Sequence, residues 1–335
     1  MTKNVVIIGA GLSGLMTADI LMKNENVGTV RILERSASAG GISSSTKRDQ
    51  VNYLFGTRIL FINDQSFKEY IESYCPDLSS VYSDSIKMVY WEGRYIPYPV
   101  QYHLNKLPIY DRLVAFKDVI RTKLFYSKYI SDNFKYTLIN NFGKKIASII
   151  LSHTQKTWRE DPKYIQKEYT FTKVAAVDLS KVLKGLFIDS SESSNEQVYY
   201  PKNGMDNIIN SIVDKSKACN AKLSISCGTS VKSIDLSSKV VVTDKGEEIP
   251  YDTLINTIAL PGFLRLVKNL PTEYELYRKL LDYNIMAVVV VATHKKFLKF
   301  KDKFMFYFSD NNTGFNKVTI PTMFGDSNQS VLVCE

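Results

Sequence analysis

The residues with the clearest chemical meaning are Gly9, Gly11 and Gly14, the intervening Leu12 and Ser13, and the acid Glu34, 20 residues past Gly14. This spacing suits the diphosphate and ribose of a dinucleotide. Gly9 allows a sharp turn. Gly11 lets backbone approach a pyrophosphate with no Cβ in the way, and Gly14 lets a helix pack close on a strand. Free N–H groups at the helix start, aided by the helix dipole, face the phosphates. Glu34 stands where the pattern expects an acid for the ribose hydroxyls. A glycine turn with no ligand is the plain alternative, and the position of the acid argues against it.

Those residues need a strand, a helix and a second strand to hold them. Val5-Val6-Ile7-Ile8 is an apolar run that leads into the turn. Leu15-Met16-Thr17-Ala18-Asp19-Ile20-Leu21-Met22 continues as an amphipathic helix. Thr29-Val30-Arg31-Ile32-Leu33 is a second strand that ends on Glu34. Together they open a βαβ unit.

After Glu34 come Arg35 and, six residues past that acid, the pair Gly40-Gly41. The run GAGLSGL, followed by ER and then GG, resembles the flavin-binding amine oxidase and protoporphyrinogen oxidase superfamily. The resemblance implies FAD rather than NAD, with the second glycine pair near the flavin end. It adds Arg35, Gly40, Gly41 and Val231 to the cofactor residues, the last through backbone bonds to adenine. Relatives also carry a Gly-Gly-His turn against the flavin ring. Here the segment reads Phe55-Gly56-Thr57-Arg58, so Phe55 replaces the first glycine and Thr57 the histidine. Gly56 and Thr57 are assigned to the cofactor. Arg58 is either a flavin or substrate contact or a member of a structural ion pair.

Two further segments resemble the UDP-galactopyranose mutase branch. Trp91-Glu92-Gly93-Arg94 is a hairpin that leads into Tyr98-Pro99-Val100-Gln101, which implies that Tyr98 and Gln101 meet substrate. The prolines flanking Tyr98 give it a rigid extended backbone, and an edge strand with a core aromatic is the alternative. In Lys156-Thr157-Trp158-Arg159-Glu160-Asp161-Pro162, the indole of Trp158 suits a base or sugar face. Arg159 or Lys156 suits a diphosphate; a helix-packing role for Trp158 is the alternative. Bacterial mutases place arginines downstream of this point. Here Thr172-Lys173-Val174 carries only a lysine, which weakens the case for a UDP-sugar substrate.

The rest of the chain supplies scaffold. Residues 64–74 read as a helix, and residues 111 to about 194 as a mostly helical block that ends in the polar loop 189–195. Met205–Lys217 is a further helix, after Tyr200-Pro201-Lys202-Asn203-Gly204. Strands are expected at 222–226 and 229–234, a hairpin over 240–251, a further strand within 252–261, and a short helix at 273–282. Ile285–Thr293 is read as a buried strand because it is apolar and β-branched throughout. Strands at 305–308, 317–320 and 330–333 should join the hairpin at 86–98 in one sheet.

The fold class expected is α/β: a Rossmann-like FAD-binding domain of the GR2 type, a helical insertion, and a smaller mixed β-sheet domain for substrate. The boundaries are 1–80 with 198–262, then 104–197, then 81–103 with 263–335. A net charge of +9 with no long basic run suits nucleotide phosphates and gives no reason to expect nucleic acid. Four cysteines without a CxxC, and three histidines, make a zinc site improbable and fit free thiols in a reducing cytoplasm. No signal peptide or membrane span is visible. Oligomeric state is unreadable. In the family a further segment with FAD contacts follows the point where this chain stops, so the resemblance implies that it is lacking. Three functions stay open: an FAD-dependent oxidoreductase or mutase acting on a nucleotide-sugar or related small molecule, a truncated or degenerate flavin-fold protein that binds nucleotide without catalysis, and an NAD(P)-dependent dehydrogenase.

Overall fold

Strand β1 (Lys3–Ile8) begins exposed and ends fully buried. Its buried half lies between two parallel neighbours, β2 (Val27–Leu33) and β14 (Thr253–Asn256). Apolar β-branched residues fill such a strand because both its faces are covered. A fourth parallel strand, β10 (Leu223–Ser226), extends the sheet to the order β10-β2-β1-β14. Helix α1 (Leu12–Met22) returns from β1 to β2 and buries Gly14, Leu15 and Ala18 against the sheet. It is less amphipathic than the sequence suggests, since Ile20 on its far side is exposed.

The computed structural model describes residues 2–48, 51–83, 85–125, 132–173, 178–188, 197–219, 222–281, 283–294, 300, 302–324 and 329–335. The loop expected at 189–195 lies outside these. The described chain divides into two compact units. The first comprises residues 1–58, 62–79 and 200–285 and holds the parallel sheet. It also contains the hairpin β3 (Ser45–Arg48) and β4 (Val51–Leu54), and helix α2 (Gln65–Glu72), capped by the Asp64 carboxylate. Helix α7 (Met205–Cys219) follows Gly204. An antiparallel sheet of β11 (Val231–Asp235), β12 (Val240–Thr243) and β13 (Glu248–Pro250) packs its Ile234, Val241 and Ile249 on Val6, Ile8 and Leu33. Helices α8 (Leu260–Leu266) and α9 (Thr272–Leu280) complete this unit.

The second unit comprises residues 59–61, 80–199 and 286–335, so the helical block and the other large sheet fall together, while residues 263–285 go with the first unit. Short strands β5 (Leu60–Phe61), β6 (Leu78–Tyr82) and β9 (Gln197–Pro201) lie where the chain passes between units. The hairpin β7 (Lys87–Trp91) and β8 (Arg94–Pro97) turns at Glu92-Gly93, both at positive φ. With β15 (Val289–His294), β16 (Met305–Phe308), β17 (Lys317–Thr319) and β18 (Gln329–Cys334) it forms one mixed sheet, ordered β15-β18-β17-β16-β7-β8. This matches the sheet expected from the sequence.

Helices α3 (Ile109–Phe125) and α4 (Phe134–Trp158) form the helical block with the short α5 (Glu168–Lys173) and α6 (Leu179–Lys184). Phe134, Leu138, Phe142 and Ile146 of α4 meet Ala115 and Val119 of α3 and Val89 and Ile96 of the hairpin in one core. Gly143 kinks α4 at φ 76°.

One sequence expectation is corrected. The run from Ile285 is not a buried strand. Pairing begins only at Val289, Ile285 is 86% exposed, and Val289 and Val291 are exposed on an edge strand paired to β18 alone among the described residues. Composition matched a strand covered on both faces. An edge position decided otherwise, because neighbours rather than side-chain type set burial.

Candidate functional site

In the first unit the glycine loop is closed everywhere but at one place. Gly9 sits at φ 101°, where an added Cβ would meet Thr257 Oγ1 at 2.8 Å. A Cβ on Gly14 would lie 2.0 Å from the Gly9 carbonyl oxygen. Here α1 packs directly on the β1 turn, and only glycine fits. Gly11 differs. Its backbone is extended (φ −68°, ψ 174°), and a Cβ there would meet nothing within 4 Å. Gly11 is also the N-cap of α1, with no side-chain cap and no acid in the first turn. The N–H groups of Leu12, Ser13 and Gly14 therefore lack intrahelical acceptors and are aimed at whatever fills that space.

Glu34 closes the other side. Its carboxylate accepts the Ala10 N–H on Oε2 and the Ser36 N–H on Oε1, both at 2.8 Å. The acid thus turns back toward the glycine loop. Each oxygen keeps a further lone pair that can accept from another donor. The Glu34 carbonyl accepts the Thr229 N–H at 2.8 Å, which brings Val231, two residues on, to this end of the site. Arg35 is exposed beside it.

The glycine pair is part of the same construction. The Gly40 N–H donates to the Ala10 carbonyl at 2.8 Å, and Gly40 bridges Gly11 in parallel. A Cβ on Gly41 would stand 3.2 Å from the Gly11 Cα. Ser45, just beyond, gives its N–H to Asp206 Oδ1 at 2.9 Å and its hydroxyl to Asp206 Oδ2. Asp206 lies in the first turn of α7, after Tyr200, whose hydroxyl pKa is raised by burial and by that carboxylate. Ser45 and Asp206 were not singled out in the sequence. The aromatic-Pro-x-x-Gly segment ahead of α7 was the available signal.

Gly56, Thr57 and Arg58 form a turn of their own. Gly56 is at φ 129°, Thr57 is buried, and the Arg58 guanidinium folds over Gly56 and donates to the Thr57 carbonyl at 3.3 Å. No carboxylate among the described residues pairs with Arg58, so the ion-pair alternative finds no support.

In the second unit Tyr307 of β16 is a hub. Its ring meets His153 of α4 edge-on (5.1 Å) and lies 6.3 Å from Tyr98. Burial raises its hydroxyl pKa, with smaller contributions from Tyr98, Glu335 and Tyr169. Tyr169 accepts the Trp158 indole N–H at 3.0 Å. Tyr98 and His153 thus approach one ring from two elements, and Tyr169 stands against Trp158 and Phe134. Trp158 is 46% exposed, its N–H is engaged, and its ring packs edge-to-face with Tyr169 at 6.0 Å. The Lys87 ammonium sits 5.3 Å from the Tyr98 ring centroid. Gln101 is buried. Arg159 caps α4 in the left-handed region and its side chain is exposed. Lys156 is held by the Asp310 carbonyl (2.8 Å) and Thr313 Oγ1 (2.7 Å), and burial lowers its pKa.

His153 and Lys317 were missed in the sequence. Burial pulls the His153 pKa down to about 4 against a smaller opposing hydrogen bond to the Phe308 backbone, so its imidazole is neutral at pH 7, and among the described residues its Nδ1 has no hydrogen-bond partner. Lys317 pairs with Glu335 at 2.7 Å. Neither lies in a motif; the contacts of β16 and β17 reveal them.

The sequence matches the family described as flavin containing amine oxidoreductase over residues 12–333. The chain belongs to this family. Several solved structures share its fold. Reduced UDP-galactopyranose mutase is similar at TM-score 0.84 and 23% identity, covering 99% of this chain and 74% of that one. An oxidoreductase from Methanosarcina mazei is similar at TM-score 0.66 and 14% identity, over 99% and 78% of the two chains. Putrescine oxidase bound to putrescine gives 0.63 and 14%, over 100% and 75%. Membership of the flavin containing amine oxidoreductases implies a flavin cofactor, and the open space at Gly11 fits one. Among the described residues no helix is long and apolar enough to cross a membrane, and no group of acids, histidines or cysteines could hold a metal ion.

Proposed function

We propose that this chain binds FAD along the Gly9–Gly14 loop and serves an oxidoreductase or mutase reaction on a nucleotide-sugar or related small molecule. The observation that carries the reading is the opening at Gly11, in a loop where Gly9 and Gly14 are sterically closed. The N–H groups of Leu12, Ser13 and Gly14 would hold the diphosphate, and Glu34 the adenosine ribose, with Val231 at the adenine end. Gly40 and Gly41 keep side chains clear of the path toward the flavin end. Bound FAD would supply a ring able to take up and return electrons.

For substrate, Tyr98, Gln101 and Trp158 are the residues we assign, with Arg159 and Arg58 as cations for an anionic group. The ring contact with Tyr307 supports the first and the exposure of the indole the third, and the structural likeness to a UDP-galactopyranose mutase suggests the nucleotide-sugar. The buried Thr57, in place of the family histidine, favours a second reading in which nucleotide is bound without turnover. Purified protein should be yellow, or become so with FAD, and should interconvert the two ring forms of a UDP-hexose only after the flavin is reduced with dithionite. Colourless protein that takes up no FAD counts against both readings. Yellow protein inactive on nucleotide-sugars and amines alike supports the second.

A further inference from the structure

We propose that the outer face of α3 docks on an anionic lipid surface. This helix packs inward through Ala115, Val119 and Thr122, all buried. The opposite face of a surface helix is ordinarily polar. On α3 it is not. At about 100° per residue, Ile109, Leu113, Ile120 and Leu124 fall in one stripe, with Tyr110, Lys117 and Arg121 along its flank. Ile109 is 65% exposed, Tyr110 74%, Leu113 60% and Leu124 69%, and Lys117 and Arg121 are exposed as well. More apolar surface lies close by. The Asn105 N–H donates to the Gly185 carbonyl at 2.8 Å, which ties the turn before α3 to the end of α6, where Phe187 and Ile188 are exposed.

Aliphatic side chains, a tyrosine and flanking cations on one helix face suit the boundary between headgroups and acyl chains. The charge selects the occupant. Residues 104–125 carry Lys106, Arg112, Lys117, Arg121 and Lys123 against Asp111 and Asp118, within a chain of net charge +9. Two copies meeting on this face would bring like charges together, whereas anionic headgroups neutralise them. The helix would lie in the surface plane and would not cross it.

Sedimentation of the full chain with vesicles tests this. Phosphatidylcholine vesicles with about a third phosphatidylglycerol should bind the protein at low salt and release it at high salt, and phosphatidylcholine alone should bind it weakly. Lys117→Glu with Arg121→Glu should weaken binding by roughly 30-fold or more, since each cation near such a surface contributes about fivefold. Leu113→Gln with Leu124→Gln should weaken it at least tenfold through lost apolar burial. All four side chains are exposed, so both variants should melt as the wild type does. Equal binding to the two vesicle types, or undiminished binding by either variant, overturns the proposal. So does a wild-type dimer that Leu113→Gln with Leu124→Gln splits, because that assigns the face to a second copy.

Discussion

Replacing Gly11 by alanine should separate cofactor binding from folding, and replacing Gly14 should not. The Gly11 backbone is extended and its Cβ position is open. Alanine there restricts the unfolded chain, which stabilises by about 0.4–1 kcal/mol. It is also a poorer N-cap than glycine, which costs about 0.5–1 kcal/mol. These offset, so the melting temperature should stay within about 3 °C. The methyl group would project where, on the proposed reading, the diphosphate approaches the Leu12 and Ser13 N–H groups. Loss of one such charged hydrogen bond costs about 1.5–3 kcal/mol, which corresponds to roughly a 10- to 100-fold weaker FAD affinity. At Gly14 the added Cβ would stand 2.0 Å from the Gly9 carbonyl and 3.0 Å from Thr257 Oγ1. Backbone cannot yield there cheaply. Overpacking of this kind costs about 1–3 kcal/mol, so Gly14→Ala should melt roughly 5 °C or more below the wild type. Calorimetric melting without cofactor gives the first comparison, and fluorescence titration with FAD gives the second. Unchanged FAD affinity in Gly11→Ala would place the diphosphate elsewhere. A Gly11→Ala protein that melts like Gly14→Ala would refute the open geometry itself.

Glu34→Gln should lower stability by about 1–3 kcal/mol even without cofactor, because the new amide faces either the Ala10 or the Ser36 N–H as donor against donor; denaturant titration reads this, and an unchanged midpoint would contradict the hydrogen bonds. His153 should make the protein acid-sensitive. Its folded pKa of about 4 lies below the ordinary 6.5, so its share of stability is whole above pH 6.5 and is lost as pH falls toward 4. The loss, in a site that also holds Tyr307, Lys156 and Lys317, is about 3 kcal/mol at most, and His153→Phe should flatten the melting profile over that window. Gly143→Ala should destabilise the helical block by at least 1–3 kcal/mol, roughly, since φ is 76° and the Cβ would meet Asp118 Cβ at 2.4 Å; a melting temperature equal to the wild type would show that the kink relaxes.

Much of the unit built on the parallel sheet was legible because its signals are local. A glycine that must take positive φ, a cap that must lack a side chain and an acid at the end of the second strand are each fixed by a few neighbouring residues. The hairpin at Glu92-Gly93 and the helix after Gly204 follow for the same reason. The pairing of Ser45 with Asp206, 161 residues apart, is invisible to any local pattern. His153 and Tyr307 likewise meet only because α4 crosses the large sheet.

By itself the sequence determined the βαβ opening, the identity of the glycine loop, and the membership of three distant strands and one hairpin in a single sheet. Tertiary structure alone decided which apolar segments are covered. Ile285–Thr293 and the outer stripe of α3 have the composition of core, yet both face outward. Hydrophobic residues lower the free energy only when something packs on them, and what packs on them is set by contacts that no stretch of chain can specify alone.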